Sequence, residues 1–221
     1  MKEHILVVFP HPDDESFGAA GTIMLATQKG VPVTYACATL GEMGRNMGKG
    51  LLANRETIPA LRKKELEDAC NVLGIEDLRL LGFRDKTLEF EDTEFVADKI
   101  EEVIQDTNPT SIITFYPGEA VHPDHDACGE AVIAAVSRMP KEERPTVYCI
   151  AITRNKYDVL GKPDVVHDVT EVVEQKIKAL QAHASQTGGL LKDIEASLEK
   201  ESGNLMKWLS NESFYIYKWN D

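Results

Sequence analysis

The 221-residue chain has no apolar stretch near the length of a membrane span, no run of basic residues and no Cys-x-x-Cys pair. Each absence removes a class of function. A transmembrane helix needs about 20 predominantly apolar residues, and the first apolar run here is only Ile5-Leu6-Val7-Val8-Phe9. Met1-Lys2-Glu3 leads into that run without the small-residue cleavage site of a secretory signal, so a cytoplasmic location is expected. Lysine and arginine number 24 against 37 aspartates and glutamates, a net charge of −13. That field repels nucleic acid and anionic lipid. The one short basic stretch, Arg62-Lys63-Lys64, lies beside Glu65 and Glu67 and reads as a solvated helix face with room for a single functional member. Cys37, Cys70, Cys128 and Cys149 are widely spaced in apolar company and are expected as buried, reduced thiols.

What is present is an alternation of strand-like and helix-like segments. Strands are predicted at about 4–9, 31–39, 78–81, 111–116 and 146–153, with a short strand near 165–169 and a final aromatic strand at 214–217. Between them, Leu66, Ala69, Cys70 and Leu73 recur at helical spacing up to Gly74, and Val96, Ile100, Val103 and Ile104 line another helix that stops before Asn108-Pro109. Further helices are expected after Phe17, through Val132, Ile133 and Val136, through Val173, Ile177 and Leu180, and after the Gly188-Gly189 break. The alternation predicts one α/β domain over 1–221: a doubly wound, mostly parallel, Rossmann-like sheet of order 3-2-1-4-5, with helices on both faces.

Two similar tetrapeptides stand at the ends of predicted strands: His11-Pro12-Asp13-Asp14 after the first and His122-Pro123-Asp124-His125 after the fourth. In that strand order the two are neighbours, and their carboxyl ends flank the crevice where α/β sheets bind ligands. Carboxylates crowded at a buried strand tip are costly unless a cation or protons compensate them. Two imidazoles and a carboxylate suit a catalytic metal with open positions. A further carboxylate can then act as general base toward metal-activated water, and a remaining histidine, oriented by a carboxylate such as Asp124, as proton donor. Asp13, Asp14 and Asp124 also have the chemistry of helix N-caps. His4 and His167 stand alone and read as structural.

These residues resemble the LmbE-like (PIG-L) family of zinc-dependent N-acetylglucosaminide deacetylases. The resemblance extends through Arg62 to Leu66, Leu73-Gly74, Leu81-Gly82 to Asp85, Asp168-Val169-Thr170, Lys176 and Ala182 to Gln186. It implies zinc held by His11, Asp14 and His125, with Asp13 as general base and His122, oriented by Asp124, stabilising or protonating the tetrahedral intermediate and helping to expel the amine. Fe2+ also fits such a donor set. Glu15 is left as a supporting group. Where some relatives carry an oxyanion tyrosine two residues before the second motif, this chain has Ala120, which leaves Tyr116 or another loop for that contact, or leaves the contact out.

Within the family the chain is similar to the bacillithiol-pathway enzymes, which remove acetate from N-acetylglucosaminyl-malate. A dianionic substrate needs cations, and Arg45, on the glycine-rich loop after the second strand, or Arg55, which follows that loop, is expected to pair with it; His183 is a further candidate for the pocket wall. The expected partner is thus a small sugar amide, with no nucleic acid or membrane, and with homo-oligomerisation left open. Competing readings are an amidase of another N-acylated sugar or bacillithiol conjugate, a non-haem Fe(II) enzyme, a Rossmann-like nucleotide binder and a non-catalytic metal-binding protein. The nucleotide binder is disfavoured because no Gly-x-Gly-x-x-Gly follows the first strand.

Overall fold

A computed structural model describes residues 2–44, 53–189 and 203–220. One seven-stranded sheet runs through it: β1 (Ile5–Phe9), β2 (Val33–Cys37), β3 (Asp77–Leu80), β4 (Ser111–Phe115), β5 (Thr146–Ile150), β6 (Val165–Asp168) and β7 (Asn211–Ile216). Its spatial order is β3-β2-β1-β4-β5-β7-β6. The first five are parallel, in the order the sequence predicts. The last two join the β5 edge antiparallel, β7 pairing with β5 and β6 with β7.

Central strands of a parallel sheet are buried on both faces, which is why β1 carries five apolar residues without alternation. Ile5, Val7 and Phe9 face one core with Tyr35, Ile113, Leu66 and Phe214. Leu6 and Val8 face the other with Ile112, Val147, Ile100 and Val132. The first core is covered by α2 (Ala20–Gln28), α3 (Ile58–Leu73) and α7 (Val173–Ala182), and the second by α4 (Thr93–Thr107) and α5 (Pro123–Ser137). Helices therefore lie on both faces, as doubly wound sheets require. Apolar residues predicted to line α3 and α4 are buried, and all four cysteines are buried and free. His4 and His167 bond threonine hydroxyls, Thr34 and Thr22, each at 3.0 Å, in keeping with structural roles.

Some boundaries differ from expectation. The helical segment after β1 begins earlier than expected, with a single short turn, α1 (Asp14–Gly18), directly on the strand tip. The final strand is longer and starts at Asn211, immediately after the helix Gly203–Ser210. The helix expected directly after Gly188-Gly189 lies outside the described residues.

Close approach fixes α5 on β4. A Cβ on Gly129 would stand 2.5 Å from the Phe115 carbonyl oxygen, so only glycine lets the helix sit at that depth. This sets His122-Pro123-Asp124-His125 over the carboxyl end of β4, beside the β1 tip. Among the described residues no helix is long and apolar enough to cross a membrane.

Candidate active site

The β1 tip turns abruptly at Asp13, whose φ is 114°, a region L-residues rarely occupy. Two contacts hold it there: the Asp13 amide donates to Glu15 Oε2 at 3.1 Å, and Arg62 Nη2 lies 3.1 Å from Asp13 Oδ2. Arg62, from α3, is buried and also donates to the carbonyls of Pro12 and Gly41. Gly41 is required for this arrangement. Its φ is +63°, and a Cβ there would overlap the guanidinium at 1.8 Å. The functional member of the basic stretch is thus Arg62, while Lys63 and Lys64 pair with Glu67 and Asp68 at the surface.

His122 is the N-cap of α5; its Nδ1 accepts the Asp124 amide at 3.1 Å. The preceding residue, Val121, has φ 66°, and the turn is closed by His122 N–H to the Ala120 carbonyl at 2.7 Å. A β-branched residue in this region is strained. The same Ala120 carbonyl lies 3.2 Å from His125 Nδ1. A carbonyl only accepts, so His125 Nδ1 carries the hydrogen and Nε2 presents its lone pair.

Asp14 joins the two motifs. One of its carboxylate oxygens lies 3.5 Å from His11 Nδ1 and the other 3.3 Å from His125 Nε2. On its far side His11 Nε2 meets Asp124 Oδ2 and Asp85 Oδ1, both at 3.2 Å. That pair of carboxylates fixes the hydrogen on Nε2 and leaves Nδ1 toward Asp14. Each histidine thus has its outer nitrogen bonded to an oxygen acceptor and its inner nitrogen facing Asp14, the pattern of histidines that ligate metals. Ring nitrogens of His11, His122 and His125 also lie within 4.8 Å of one another. His11, Asp85 and Asp124 likewise bring ligand atoms within 4.8 Å of one another, and the imidazoles on either side of Asp14 are a donor set whose chemistry fits a divalent cation.

Asp124 acts differently from expectation. Its carboxylate is taken up by His11 and by the amides of Lys86 (2.7 Å) and Leu88 (3.2 Å). The hydrogen bond linking it to His122 comes from its backbone, not its side chain. Asp85, which the sequence places in the stretch that carries the resemblance without giving it a role, emerges as the second carboxylate on His11. It is buried, and accepts the Met43 amide at 2.8 Å. Its place on the loop that leaves the carboxyl end of β3 was the available sign.

Charge follows geometry. Burial disfavours a proton on His11, but Asp124, Asp14 and Asp85 outweigh it and raise its pKa well above the usual value. Burial raises the Asp14 pKa, yet His125 and His11 overcome that and hold it well below the carboxylate range. Burial pushes Asp13 up to about 7, with Arg62 opposing and Asp14 adding to the rise. His122 is lowered by burial and by the neighbouring imidazoles.

Of the substrate candidates, Arg45 lies outside the described residues. Arg55 is exposed, and its Nη1 donates to the Glu42 carbonyl at 2.9 Å and the Gly44 carbonyl at 3.5 Å. His183 has no surface to offer a substrate: it is fully buried, with Nε2 2.6 Å from Glu15 Oε1. Helix packing closes over it, and it acts on the site through Glu15, which in turn holds the Asp13 amide. A cavity of about 540 Å³ has Asp14, His125 and Phe115 in its wall. Phe115 stacks on His125 with ring centroids 4.0 Å apart.

Solved structures of similar fold include an N,N'-diacetylchitobiose deacetylase from Pyrococcus horikoshii (TM-score 0.76, 24% identity, 97% of this chain and 84% of that one). A 4-carboxy-2-hydroxymuconate hydratase from Pseudomonas putida is nearly as similar (TM-score 0.75, 17% identity, 99% and 98%). These two share the fold and differ in the reaction, so the fold alone does not decide the chemistry. A Bacillus cereus protein named probable N-acetyl-alpha-D-glucosaminyl L-malate deacetylase 2 is 62% identical over 219 residues, spanning 99% of this chain and 100% of that protein. Residues 6–136 match the family model described as PIG-L, GlcNAc-PI de-N-acetylase. The chain belongs to the PIG-L family.

Proposed function

We propose that this protein is a metal-dependent hydrolase that removes the acetyl group from an N-acetylglucosaminide, with N-acetylglucosaminyl malate as its substrate. The observation that carries the reading is Asp14 seated between the inner nitrogens of His11 and His125 on a cavity wall, with Asp13 held beside it by Arg62. Identity to the Bacillus cereus protein over the whole chain supports the choice of substrate. The reading also places the chain in the cytoplasm as a single domain acting on a small sugar amide.

A zinc ion held by His11, Asp14 and His125 would supply Lewis-acid polarisation of the amide carbonyl and acidify water. Asp13 is the base. A carboxyl raised toward neutrality accepts a proton from water more readily than an ordinary one, and the Arg62 contact aims its oxygen. His122 stabilises the tetrahedral intermediate, and the proton that Asp13 takes from water is the one passed to the departing nitrogen. The His122 Nδ1 accepts the Asp124 amide and so carries no hydrogen, which leaves the neutral ring's one N–H on Nε2 to donate to the intermediate. Burial and the neighbouring imidazoles lower its pKa and favour that neutral form. Asp124 and Asp85 hold the His11 ring in the tautomer that leaves Nδ1 for the metal.

The test is acetate release across several N-acetylglucosaminides, with and without chelator. Acetate is expected from the malate conjugate, lost on chelation and regained with zinc. Asp13→Ala is expected to keep the metal and lose hydrolysis, which separates an enzyme from a metal-storage protein. Acetate from none of the N-acetylglucosaminides would sink the reading.

A further inference from the structure

The cavity that includes Asp14 and His125 also has two ammonium groups in its wall that the proposed chemistry leaves unused, Lys156 and Lys207. Lys156 opens the short helix α6 (Lys156–Val159) and is half-buried, its Nζ donating to the Ala151 carbonyl at 2.7 Å. Burial lowers its pKa. Lys207 lies on the helix Gly203–Ser210, next to Trp208. Among the described residues no carboxylate pairs with either; Lys156 is half-buried and Lys207 is exposed at the cavity's edge.

The third lysine of the cavity makes the contrast. Lys176 Nζ is 2.7 Å from Glu212 Oε1, with both side chains buried, so its charge is already spent. The half-buried Lys156 ammonium, served by one neutral carbonyl and the face of the Tyr157 ring 5.6 Å away, loses hydration without gaining a counter-charge. An anion entering the cavity repays that loss. Trp208 and Tyr157 add aromatic surface to the same walls, and the volume of about 540 Å³ lies within the range of small-ligand sites. The Arg55 guanidinium, by contrast, is engaged by backbone carbonyls.

Resting on the deacetylase reading, we propose that Lys156 and Lys207 form the subsite for the acidic aglycone, and so make the enzyme select N-acetylglucosaminides bearing carboxylates over neutral ones. The acetamide lies toward Asp14 and His125 and the carboxylates toward the two ammonium groups. Charge-assisted hydrogen bonds of this kind discriminate strongly once partly desolvated.

The experiment compares kcat/KM for the malate conjugate with that for the neutral methyl glycoside of N-acetylglucosamine, in the wild type, Lys156→Met, Lys207→Ala and the double variant. The ratio is expected to fall roughly ten- to hundred-fold in the variants, and to be largely kept in Lys156→Arg. A second readout does not depend on turnover: binding of L-malate to chelator-treated, dialysed protein, followed by tryptophan fluorescence. It is expected to saturate in the wild type and to be lost in the double variant. An unchanged substrate ratio, or malate binding indifferent to both substitutions, overturns the subsite. Malate binding that depends on both lysines, in a protein releasing acetate from no N-acetylglucosaminide, leaves the subsite standing and sinks the deacetylase reading instead.

Discussion

Asp13 shows what one residue gives up for the site. It sits at positive φ, and burial beside Asp14 and Glu15 penalises its charge more than Arg62 relieves it. A carboxyl whose pKa is higher folded than unfolded binds its proton more tightly in the native state, so stability falls as pH rises from the usual value of 3.8 toward about 7. In chelator-treated protein, Asp13→Asn keeps an acceptor toward Arg62 and removes the penalty. Its melting temperature is expected to exceed that of the wild type by a few degrees at neutral pH and to match it near pH 4, while acetate release disappears. Thermal denaturation at several pH values checks this, and a variant less stable at neutral pH would refute the assignment. The two tetrapeptides were legible because both motifs are local. Arg62, Asp85 and the Glu15–His183 pair were not assigned their roles, because each acts through a partner distant in sequence, and only topology sets such partners side by side.

At the scale of elements, the five parallel strands were readable from runs of apolar residues and the helices between them. The antiparallel partners were not. β6 alternates exposed and half-buried positions, and nothing local says that β7 will enter between it and β5. What anchors β7 is Glu212. Its carboxylate accepts the Gly21 and Thr22 amides at 2.9 and 2.8 Å, and Oε1 binds Lys176 Nζ. One side chain thereby ties β7 to the first turn of α2 and to α7. Removing one partner of a buried ion pair leaves the other uncompensated, at a cost of about 3–5 kcal/mol. Lys176→Met is therefore expected to destabilise by about that much. Adding Glu212→Gln, which keeps an acceptor for the amides, should restore a large part of it. Urea denaturation of the single and double variants measures the coupling; additive losses would mean the pair contributes no mutual stabilisation.

At the scale of the molecule, the sheet separates two apolar cores, and the cysteines are divided evenly between them. Cys37 and Cys70 belong to the face under α2, α3 and α7; Cys128 and Cys149 belong to the face under α4 and α5. All four are buried and free, and burial raises every thiol, Cys149 to about 12 and the others also upward. The thiolate is the reactive form, so at pH 8 the native protein has almost none to offer and no route for a reagent to reach it. Alkylation is expected to be negligible in the native state. In rising denaturant the thiols report the two faces separately. Because β1 is buried on both sides and lends alternate residues to each core, neither face can open without exposing the strand that serves the other. The four cysteines are therefore expected to become reactive over one denaturant range, coincident with loss of helical circular dichroism. Mass spectrometry of pulse-alkylated protein resolves the four sites. Labelling of Cys128 and Cys149 well before Cys37 and Cys70 would mean that the faces unfold as independent units, and that the β1 tip carrying His11 and the first turn of α5 carrying His125 are held by separable halves of the molecule.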